Sequence, residues 1–371
     1  MKQVYIKTRV FSGQDSLERL RKFTDKKIWL VCDGFLVDNG TVNLITSKIS
    51  KSNKVVVCKD VIPDPPLENI AKGVALLKNI QPDVIIAFGG GSAIDTAKGI
   101  IYFAPLSGYD KKPKFVAIPT TSGTGSEVTS VTVITDKEME TKHLVVSHDM
   151  LPDEVILCPQ LTMSVPASIT ANTGMDVLTH VLEAYVAKNS NAYSDALAEK
   201  GVELVFQYLK TCYDRGEDLE ARGKMQEASN IAGSAFNIAG LGMNHAIAHQ
   251  LGGTFHIPHG LANTLILNEV IKKNSEDAYM RSRYATIARK MGFASFQESD
   301  EVAVMHLCEK IDECKAEMKM PTRITECKVS EADVKAKMPE MCENALKDGC
   351  VPQARMVYTK ADIEKILLSV L

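Results

Sequence analysis

Runs of four or five mostly apolar residues recur in the first 135 residues of this 371-residue chain, over 28–32, 55–58, 84–88, 115–118 and 131–135. Continuous apolar runs of this length are typical of parallel strands that are buried on both faces of a sheet. Residues with helical periodicity lie between the runs, over 16–23, 67–80 and 93–103. Strands that alternate with helices predict an α/β unit with a parallel sheet.

The second part of the chain has few such runs and repeats a helical period instead. We predict helices over 169–186, 192–208, 219–238, 243–251, 277–291, 301–318, 331–348 and 360–370. The pattern therefore predicts two domains, an α/β domain over residues 1–163 and an all-helical domain over residues 164–371. No Gly/Ser/Pro-rich linker marks the boundary between them.

Charge and composition exclude several classes of protein. A formal net charge of −3 argues against nucleic acid as the main partner, because binding phosphates requires a basic excess. No run of about 18 apolar residues predicts a membrane span, and the first residues lack a secretory signal. The nine cysteines are scattered without a CxxC pair, which favours the reducing cytoplasm over a disulfide framework.

The apolar run at 84–88 leads directly into Gly89-Gly90-Gly91-Ser92. Glycines allow a ligand to approach the backbone closely, and the helix that starts here directs N–H groups and a positive dipole end toward it. A diphosphate is the natural occupant of such a turn. The alternative is an ordinary tight turn capped by Ser92. The turn lacks the GxGxxG spacing, so the sequence does not support an orthodox Rossmann fingerprint.

A second loop, over residues 119–129, is rich in Thr, Ser and Gly and follows the next predicted strand. Two loops at the carboxyl ends of successive strands are typical of a ligand-binding crevice in a doubly wound sheet. Asp33 ends the first predicted strand. A carboxylate there can accept hydrogen bonds from ribose hydroxyls and repel a 2′-phosphate, which favours NAD over NADP. The alternative for Asp33 is a turn that it forms with Gly34.

Four of the eight histidines fall within residues 245–259. His245 and His249 are four residues apart on a predicted helix, as are Asp176 and His180 on another, and such pairs share a helix face. With His259 nearby, one carboxylate and three imidazoles would complete a site for a divalent first-row metal. A single histidine is more often a core or capping residue, but two such pairs favour a metal site.

These motifs occur together in one known family. Asp176-x-x-x-His180, His245-x-x-x-His249, GGGSAID at 89–95 and PTTSGTGSE at 119–127 resemble the iron-dependent (group III) alcohol dehydrogenases along nearly the whole chain. Residues 8–13, 170–180 and 240–263 are most similar to one subgroup, the propanol dehydrogenases of propanediol-utilising bacterial microcompartments. The resemblance implies the fold shared with dehydroquinate synthase, a nucleotide-binding α/β domain followed by a helical metal-binding domain.

The resemblance also implies roles for individual residues. Asp176, His180, His245 and His259 match the metal ligands of the family, and His249 matches a histidine near the nicotinamide, a candidate proton relay. Phe236 and Cys350 match residues that line the substrate pocket. The positions that match nucleotide contacts are Asp33, Gly90, Gly91, Ser92, Asp95, Thr120, Thr121, Thr124 and Lys142. The chain departs from the family at Asp64 and Cys158, where Asn and Asp are usual.

The implied activity is the NAD(H)-linked interconversion of a short-chain aldehyde and a primary alcohol, such as propanal and 1-propanol, with Fe²⁺ or Zn²⁺. One alternative is a polyol dehydrogenase of the same family, acting on 1,3-propanediol, glycerol or lactaldehyde. Another is a dehydroquinate-synthase-like lyase, and a third is a microcompartment protein whose N-terminal segment docks on a shell protein, with secondary catalysis. We expect a homodimer or larger homo-oligomer that is cytoplasmic, with a microcompartment interior as the alternative location.

Overall fold

The computed structural model describes residues 4–136 and 141–371, without the side chains of residues 141 and 142. Within this part, the chain separates into two compact units, Tyr5–Ser164 and Val165–Leu371. Strands and helices alternate in the first unit, whereas the regular structure of the second is helical.

The first unit contains a six-stranded parallel sheet, which confirms the predicted α/β unit. Its strand order is β1-β8-β5-β4-β2-β3. The elements are β1 (Arg9–Ser12), β2 (Lys27–Asp33), α1 (Gly34–Asp38), α2 (Val42–Thr46), β3 (Lys54–Val61), α3 (Leu67–Ile80), β4 (Val84–Gly89), α4 (Gly91–Leu106), β5 (Lys114–Pro119), β6 (Val131–Asp136), β7 (Thr141–Val146) and β8 (Glu154–Leu157).

The central strands β2, β4 and β5 are covered on both faces of this sheet, as the continuous apolar runs predict. In β2, Trp29 and Val31 pack into one hydrophobic cluster, whereas Ile28 and Leu30 pack into another. The same division holds along β4 and β5. A strand buried on both sides has no polar face, and this is why its sequence does not alternate.

The prediction of a parallel strand at 131–135 was wrong. β6 pairs antiparallel with β7 in a separate two-stranded sheet. Thr132 and Ile134 are buried while Val131 and Val133 are half-buried, the alternation expected of a strand with one covered face. The main sheet instead includes β1 and β8, which the apolar pattern did not reveal. β1 is largely exposed, and β8 begins with the buried Glu154.

The second unit is helical, as predicted. Its helices are α5 (Ala167–Val186), α6 (Ala192–Asp214), α7 (Leu219–Ala239), α8 (Met243–Phe255), α9 (His259–Asn274), α10 (Ala278–Lys290), α11 (Asp300–Glu317), α12 (Glu331–Ala345) and α13 (Lys360–Ser369). The sequence pattern did not identify α9, because twelve of its sixteen residues are buried and no polar face produces a helical period. α12 ends at Ala345, so Asp348 lies in a loop rather than in the predicted helix.

Helix α5 lies at the centre of this unit and packs against α6, α7 and α9. Fifteen of its twenty residues are buried. Some of them are polar, and polar residues are buried in a helix core when they have hydrogen-bond or metal partners. None of the helices in the described part of the chain has both the length and the apolar composition needed to cross a membrane.

Candidate metal centre and nucleotide loops

Three helices bring Asp176, His180, His245 and His259 together. Asp176 and His180 lie on α5, His245 on α8, and His259 is the first residue of α9. One ligand atom from each lies within 4.8 Å of the others. Nε2 of His259 is 3.6 Å and Nε2 of His245 is 3.9 Å from Oδ1 of Asp176. The structure therefore assembles the carboxylate and three imidazoles that the spacing predicted.

A glycine allows α9 to approach α5 at this point. A Cβ atom on Gly260 would lie 2.1 Å from the carbonyl oxygen of Asn172, which is far closer than two such atoms can pack. The small residue directly after His259 thus permits the contact that brings this histidine to Asp176.

Two of the three imidazoles, those of His180 and His245, are in the form that binds metal. Burial lowers the pKa of His180 to about 3 and that of His245 well below its usual value, so both rings are neutral and have a free lone pair. The rings of His180 and His245 stack with centroids 4.7 Å apart. Nδ1 of His180 is buried with no hydrogen-bond partner among the described residues. A buried nitrogen lacking a partner next to a carboxylate is consistent with a divalent cation as the missing partner.

Two further residues support this cluster, and the sequence reasoning missed both. Glu183 lies one turn beyond His180, and its Oε2 accepts a hydrogen bond from Nδ1 of His245 at 2.5 Å. Asn263 lies one turn beyond His259, and its amide donates to Oδ1 of Asp176 at 2.8 Å. The available signal was spacing, because positions 176, 180 and 183 share one helix face, as do 259 and 263.

His249 lies beside the cluster, one turn after His245 on α8. Its ring stacks on that of His259 with centroids 5.5 Å apart, and about a third of its side chain is exposed. Nδ1 of His249 is 2.8 Å from Oδ2 of Asp348. Burial raises the pKa of Asp348, but hydrogen bonds, chiefly the one to His249, outweigh it and lower the net pKa. Asp348 therefore presents a carboxylate that orients the imidazole.

The two predicted substrate-pocket residues also lie next to these histidines. The ring of Phe236, on α7, is 4.7 Å from the ring of His180. Cys350 is buried, and its backbone N–H donates to Oδ1 of Asp348 at 2.8 Å. The second unit thus contains an aromatic wall and a buried thiol beside the histidine cluster.

In the first unit, the predicted nucleotide residues gather at the carboxyl ends of neighbouring strands. Asp33 ends β2, the glycine turn follows β4, and Thr120, Thr121 and Thr124 follow β5. Oδ2 of Asp33 accepts the N–H of Gly90 at 3.4 Å. A Cβ atom on Gly89 would lie 2.2 Å from that same oxygen, so only glycine fits beside Asp33.

The loop after β5 packs closely against the glycine turn. The N–H of Thr120 donates to the carbonyl of Gly89 at 3.0 Å. A Cβ atom on Gly91 would lie 3.0 Å from Cγ2 of Thr124. Ser92, another predicted nucleotide contact, is half-buried in the first turn of α4. Lys142 lies in β7 with its backbone opposite Thr135, and its side chain is outside the described part of the chain.

Asp95 has partners within the protein. Its carboxylate accepts from Oγ of Ser126 at 2.5 Å and from the N–H of Val133 at 3.2 Å. These bonds tie the segment after the threonine loop to α4. Asp95 therefore holds this loop onto α4, and its contact with the nucleotide stays a prediction.

Lys98 is a buried residue that the sequence reasoning did not identify. Its Nζ donates to Oγ of Ser126 at 3.0 Å, to Oγ1 of Thr129 at 2.9 Å and to the carbonyl of Val131 at 2.8 Å. Burial lowers its pKa to about 8, while the charge of Asp95 acts in the opposite direction. Together, Lys98 and Asp95 fasten residues 126–133 onto α4.

Comparison with known proteins identifies the family. Residues 7–159 match the iron-containing alcohol dehydrogenase family, and residues 170–371 match the C-terminal region of the Fe-containing alcohol dehydrogenase family. The chain belongs to the iron-containing alcohol dehydrogenases. It is therefore an oxidoreductase, and the resemblance inferred from its motifs is confirmed.

Individual dehydrogenases and reductases are similar to this chain along most of its length. A 1-propanol dehydrogenase of Salmonella typhimurium is 46% identical over 343 residues, which are 92% of each chain. The solved structure of a 1,3-propanediol oxidoreductase has a TM-score of 0.93 and 32% identity over 100% of both chains. A sulfoacetaldehyde reductase from Bifidobacterium kashiwanohense, solved with NAD⁺, has a TM-score of 0.87 and 26% identity over 100% of this chain and 98% of its own.

Proposed function

We propose that this protein interconverts a short-chain aldehyde and a primary alcohol, with propanal and 1-propanol as the first pair to test, using NAD(H) and a divalent metal. The observation that carries the proposal is the assembly of one carboxylate and three imidazoles within 4.8 Å. The 46% identity to a 1-propanol dehydrogenase supports the choice of substrate.

Asp176, His180, His245 and His259 would hold the metal. The family supports iron, and zinc is the alternative, because one carboxylate with three imidazoles suits both ions. A cation bound there would supply Lewis acidity, which stabilises negative charge on a substrate oxygen. Asn263 and Glu183 hold the ligand side chains in place through their hydrogen bonds to Asp176 and His245.

The glycine turn, the threonine loop and Asp33 would bind the dinucleotide. The N-terminus of α4 begins at Gly91, directly after this turn, where backbone N–H groups and the helix dipole favour a diphosphate. The carboxylate of Asp33 favours NAD over NADP, and the relative solved with NAD⁺ supports this choice. The bound cofactor would supply the hydride chemistry.

His249 would move the proton. Its Nδ1 is bonded to Asp348, which leaves Nε2 to exchange a proton with the substrate oxygen or with water. Its partial exposure provides contact with solvent. The ring of Phe236 lies against that of His180, where it would form an apolar part of the pocket wall.

Replacement of a ligand tests the metal site. We expect Asp176→Ala to lose its metal on elemental analysis after anaerobic purification, while the exposed Asp214→Ala on α6 keeps it. The same preparations are then assayed for NADH-dependent reduction of aldehydes of two to about six carbons. Unchanged metal content in Asp176→Ala would refute the ligand assignment, and no aldehyde reduction by the metal-loaded wild type would refute the activity.

Replacement of His249 separates proton transfer from metal binding. We expect His249→Ala to keep its metal and fold but to lose turnover by about 10²-fold or more, because the proton then lacks a positioned donor. External imidazole should restore part of the rate. Full activity in this variant would remove His249 from the mechanism.

A polyol dehydrogenase is a second candidate. The observation that favours it is the TM-score of 0.93 to a 1,3-propanediol oxidoreductase. Values of kcat/KM for 1-propanol, 1,3-propanediol, glycerol and lactaldehyde decide between the two. A preference for a diol or triol would replace propanal in the proposal.

We also propose that the protein forms a homodimer or larger homo-oligomer and that its N-terminal segment docks on a microcompartment shell protein. Lys7 and Thr8 bond to the carbonyls of Leu151 and Pro152, so a deletion should stop before them. We expect a chain lacking residues 1–6 to keep activity but to lose encapsulation. Encapsulation at the wild-type level would refute docking by this segment, and a monomer on light scattering would refute the oligomer.

A further inference from the structure

A second group of ligand-type side chains lies in the helical unit beside the first. His249 on α8 faces Asp348 and Cys350 on the loop after α12, and one ligand atom of each lies within 4.8 Å of the others. No residue is shared with the set of Asp176 and the three histidines. In the proposed function, His249 and Cys350 have separate roles, as a proton relay and as part of a pocket wall, and Asp348 only orients His249.

We propose that His249, Asp348 and Cys350 form a second cation site that takes a thiophilic divalent ion, Zn²⁺ or its analogue Cd²⁺. An imidazole nitrogen, a carboxylate oxygen and a thiolate sulfur are the ligand types that zinc prefers. Three protein ligands leave a fourth position for water. The first site has no sulfur, so the thiolate gives the second a preference for softer ions.

The geometry requires only small movements. Zinc bond lengths of about 2.0–2.3 Å place tetrahedral ligand atoms about 3.3–3.8 Å apart. The 2.8 Å between Nδ1 of His249 and Oδ2 of Asp348 must therefore widen by about half an ångström, and more distant pairs must close by about one ångström. Asp348 and Cys350 lie on a loop, which allows such shifts, and the exposed part of His249 provides an entry path.

The loop also positions the carboxylate for this role. The backbone N–H of Cys350 donates to Oδ1 of Asp348, and this bond leaves Oδ2 directed at His249. A ligating carboxylate whose second oxygen is hydrogen-bonded is typical of protein metal sites.

Charge balance allows both sites to be filled. The rings of His249 and His259 are only 5.5 Å apart, so two dications would repel each other strongly if uncompensated. The carboxylate of Asp176 compensates the first ion, whereas burial raises the pKa of Glu183 to about 7, so that its charge is not counted. The Asp348 carboxylate and the Cys350 thiolate compensate the second ion. Burial raises the pKa of the Cys350 thiol well above its usual value, so the cation must displace the thiol proton to solvent as the sulfur–metal bond forms. The proton that His249 carries on Nδ1 toward Asp348 moves to Nε2, which frees Nδ1 for the cation.

Occupancy would stop alcohol oxidation, a consequence that rests on the proposed role of His249. With Nδ1 held by the cation, the ring proton lies on Nε2, which therefore cannot accept a proton from the substrate alcohol. Zinc then inhibits without displacing the first metal. Cation binding and turnover are measured separately, so that the cation site and the relay role of His249 can each be refuted without the other.

The test uses iron-loaded enzyme under anaerobic conditions with Cd²⁺ as the probe. We expect one equivalent of Cd²⁺ to bind with the ultraviolet charge-transfer absorption of a Cd–thiolate bond, while iron content is unchanged. Cys350→Ser should lose this absorption and weaken Cd²⁺ binding about 10-fold or more, and Asp348→Asn should weaken it too. Cys327→Ser, which removes a half-buried thiol elsewhere, should retain the signal.

Several results would overturn the site. One is a Cd–thiolate absorption that persists in Cys350→Ser, and another is stoichiometric loss of iron with no such absorption. If Cd²⁺ binds through Cys350 but alcohol oxidation continues, the site stands and the relay fails. If His249→Ala is inactive but the wild type binds no Cd²⁺ through Cys350, the relay stands and the site fails. Circular dichroism of each variant confirms that it is folded.

Discussion

Nδ1 of His245 lies 2.5 Å from Oε2 of Glu183, and both side chains are almost completely buried. The Nδ1–H donates to the carboxylate, which leaves Nε2 to face Asp176 as a metal ligand. Oε1 of Glu183 also accepts the backbone N–H of Asn244 at 2.7 Å, so the carboxylate is anchored to the first turn of α8. Glu183 thus sets both the orientation and the basicity of a proposed ligand.

We expect Glu183→Gln to weaken metal binding about 10-fold, because a neutral amide accepts the Nδ1–H bond less strongly than a carboxylate. The measurement is the dissociation constant of Co²⁺ or Zn²⁺ from the metal-depleted protein, by competition with a chelator. Glu199→Gln is the matched control, since that carboxylate bonds to Tyr185 and Lys290 instead. Equal affinities for wild type and Glu183→Gln would contradict the role.

A second prediction concerns the choice of cofactor. Asp33→Ala removes both an acceptor for ribose hydroxyls and a charge that repels a 2′-phosphate. We expect the ratio of kcat/KM for NADH over NADPH to fall about 10-fold or more, because about 1.4 kcal/mol of discrimination corresponds to tenfold. Asp38→Ala, an exposed carboxylate that pairs with Lys59 at 3.2 Å, is the control. An unchanged ratio of kcat/KM for NADH over NADPH would show that Asp33 does not contact the ribose.

A third prediction concerns Lys98, which is completely buried. Lys98→Met leaves Ser126 and Thr129 without their donor and Asp95 without a neighbouring positive charge. Loss of one partner from a buried charged network costs about 3–5 kcal/mol, so the melting temperature should fall. Looser attachment of residues 126–133 should also raise KM for NADH more than it lowers kcat.

The control for Lys98 is Lys72→Met, at an exposed position on α3. It removes a lysine without a buried network, and we expect a change within about 0.5 kcal/mol. If Lys98→Met and Lys72→Met both have the melting temperature of the wild type, Lys98 does not hold residues 126–133 in place.

Local spacing predicted much of the candidate site. Asp176 with His180, and His245 with His249, are pairs that helix geometry alone places on one face. The contact of these pairs with each other, and with His259, depends on how α5, α8 and α9 pack. That packing relies on Gly260 and on a helix whose sequence lacks a polar face, and neither feature shows in a single-sequence pattern.

Supporting residues were harder to predict for a similar reason. Glu183 and Asp348 act through partners 62 and 99 residues away in the chain, His245 and His249. The bonds that Asp95 accepts from Ser126 and Val133, 31 and 38 residues away, were likewise not predicted from the sequence. The fold shows a similar limit, since the period of 131–135 did not reveal that β6 pairs with β7 outside the main sheet.

The last prediction is a pH dependence of stability at Asp362, in the first turn of α13. Its carboxylate lies 2.8 Å from Nζ of Lys273, and this bond, with others from Thr359, lowers its pKa from 3.8 to about 2. Because the pKa is lower in the folded state, the unfolded chain binds more protons between about pH 4 and pH 2. The stabilisation is therefore fully present above this window and is lost as the pH falls through it.

Asp362→Asn should lower the free energy of unfolding by about 1 kcal/mol near neutral pH, since the pair is partly exposed to solvent. The difference in melting temperature from the wild type should shrink to about half by about pH 3, whereas the exposed Glu343→Gln should show little difference at any pH. A difference in melting temperature between wild type and Asp362→Asn that stays constant down to about pH 3 would show that the carboxylate charge does not contribute to stability.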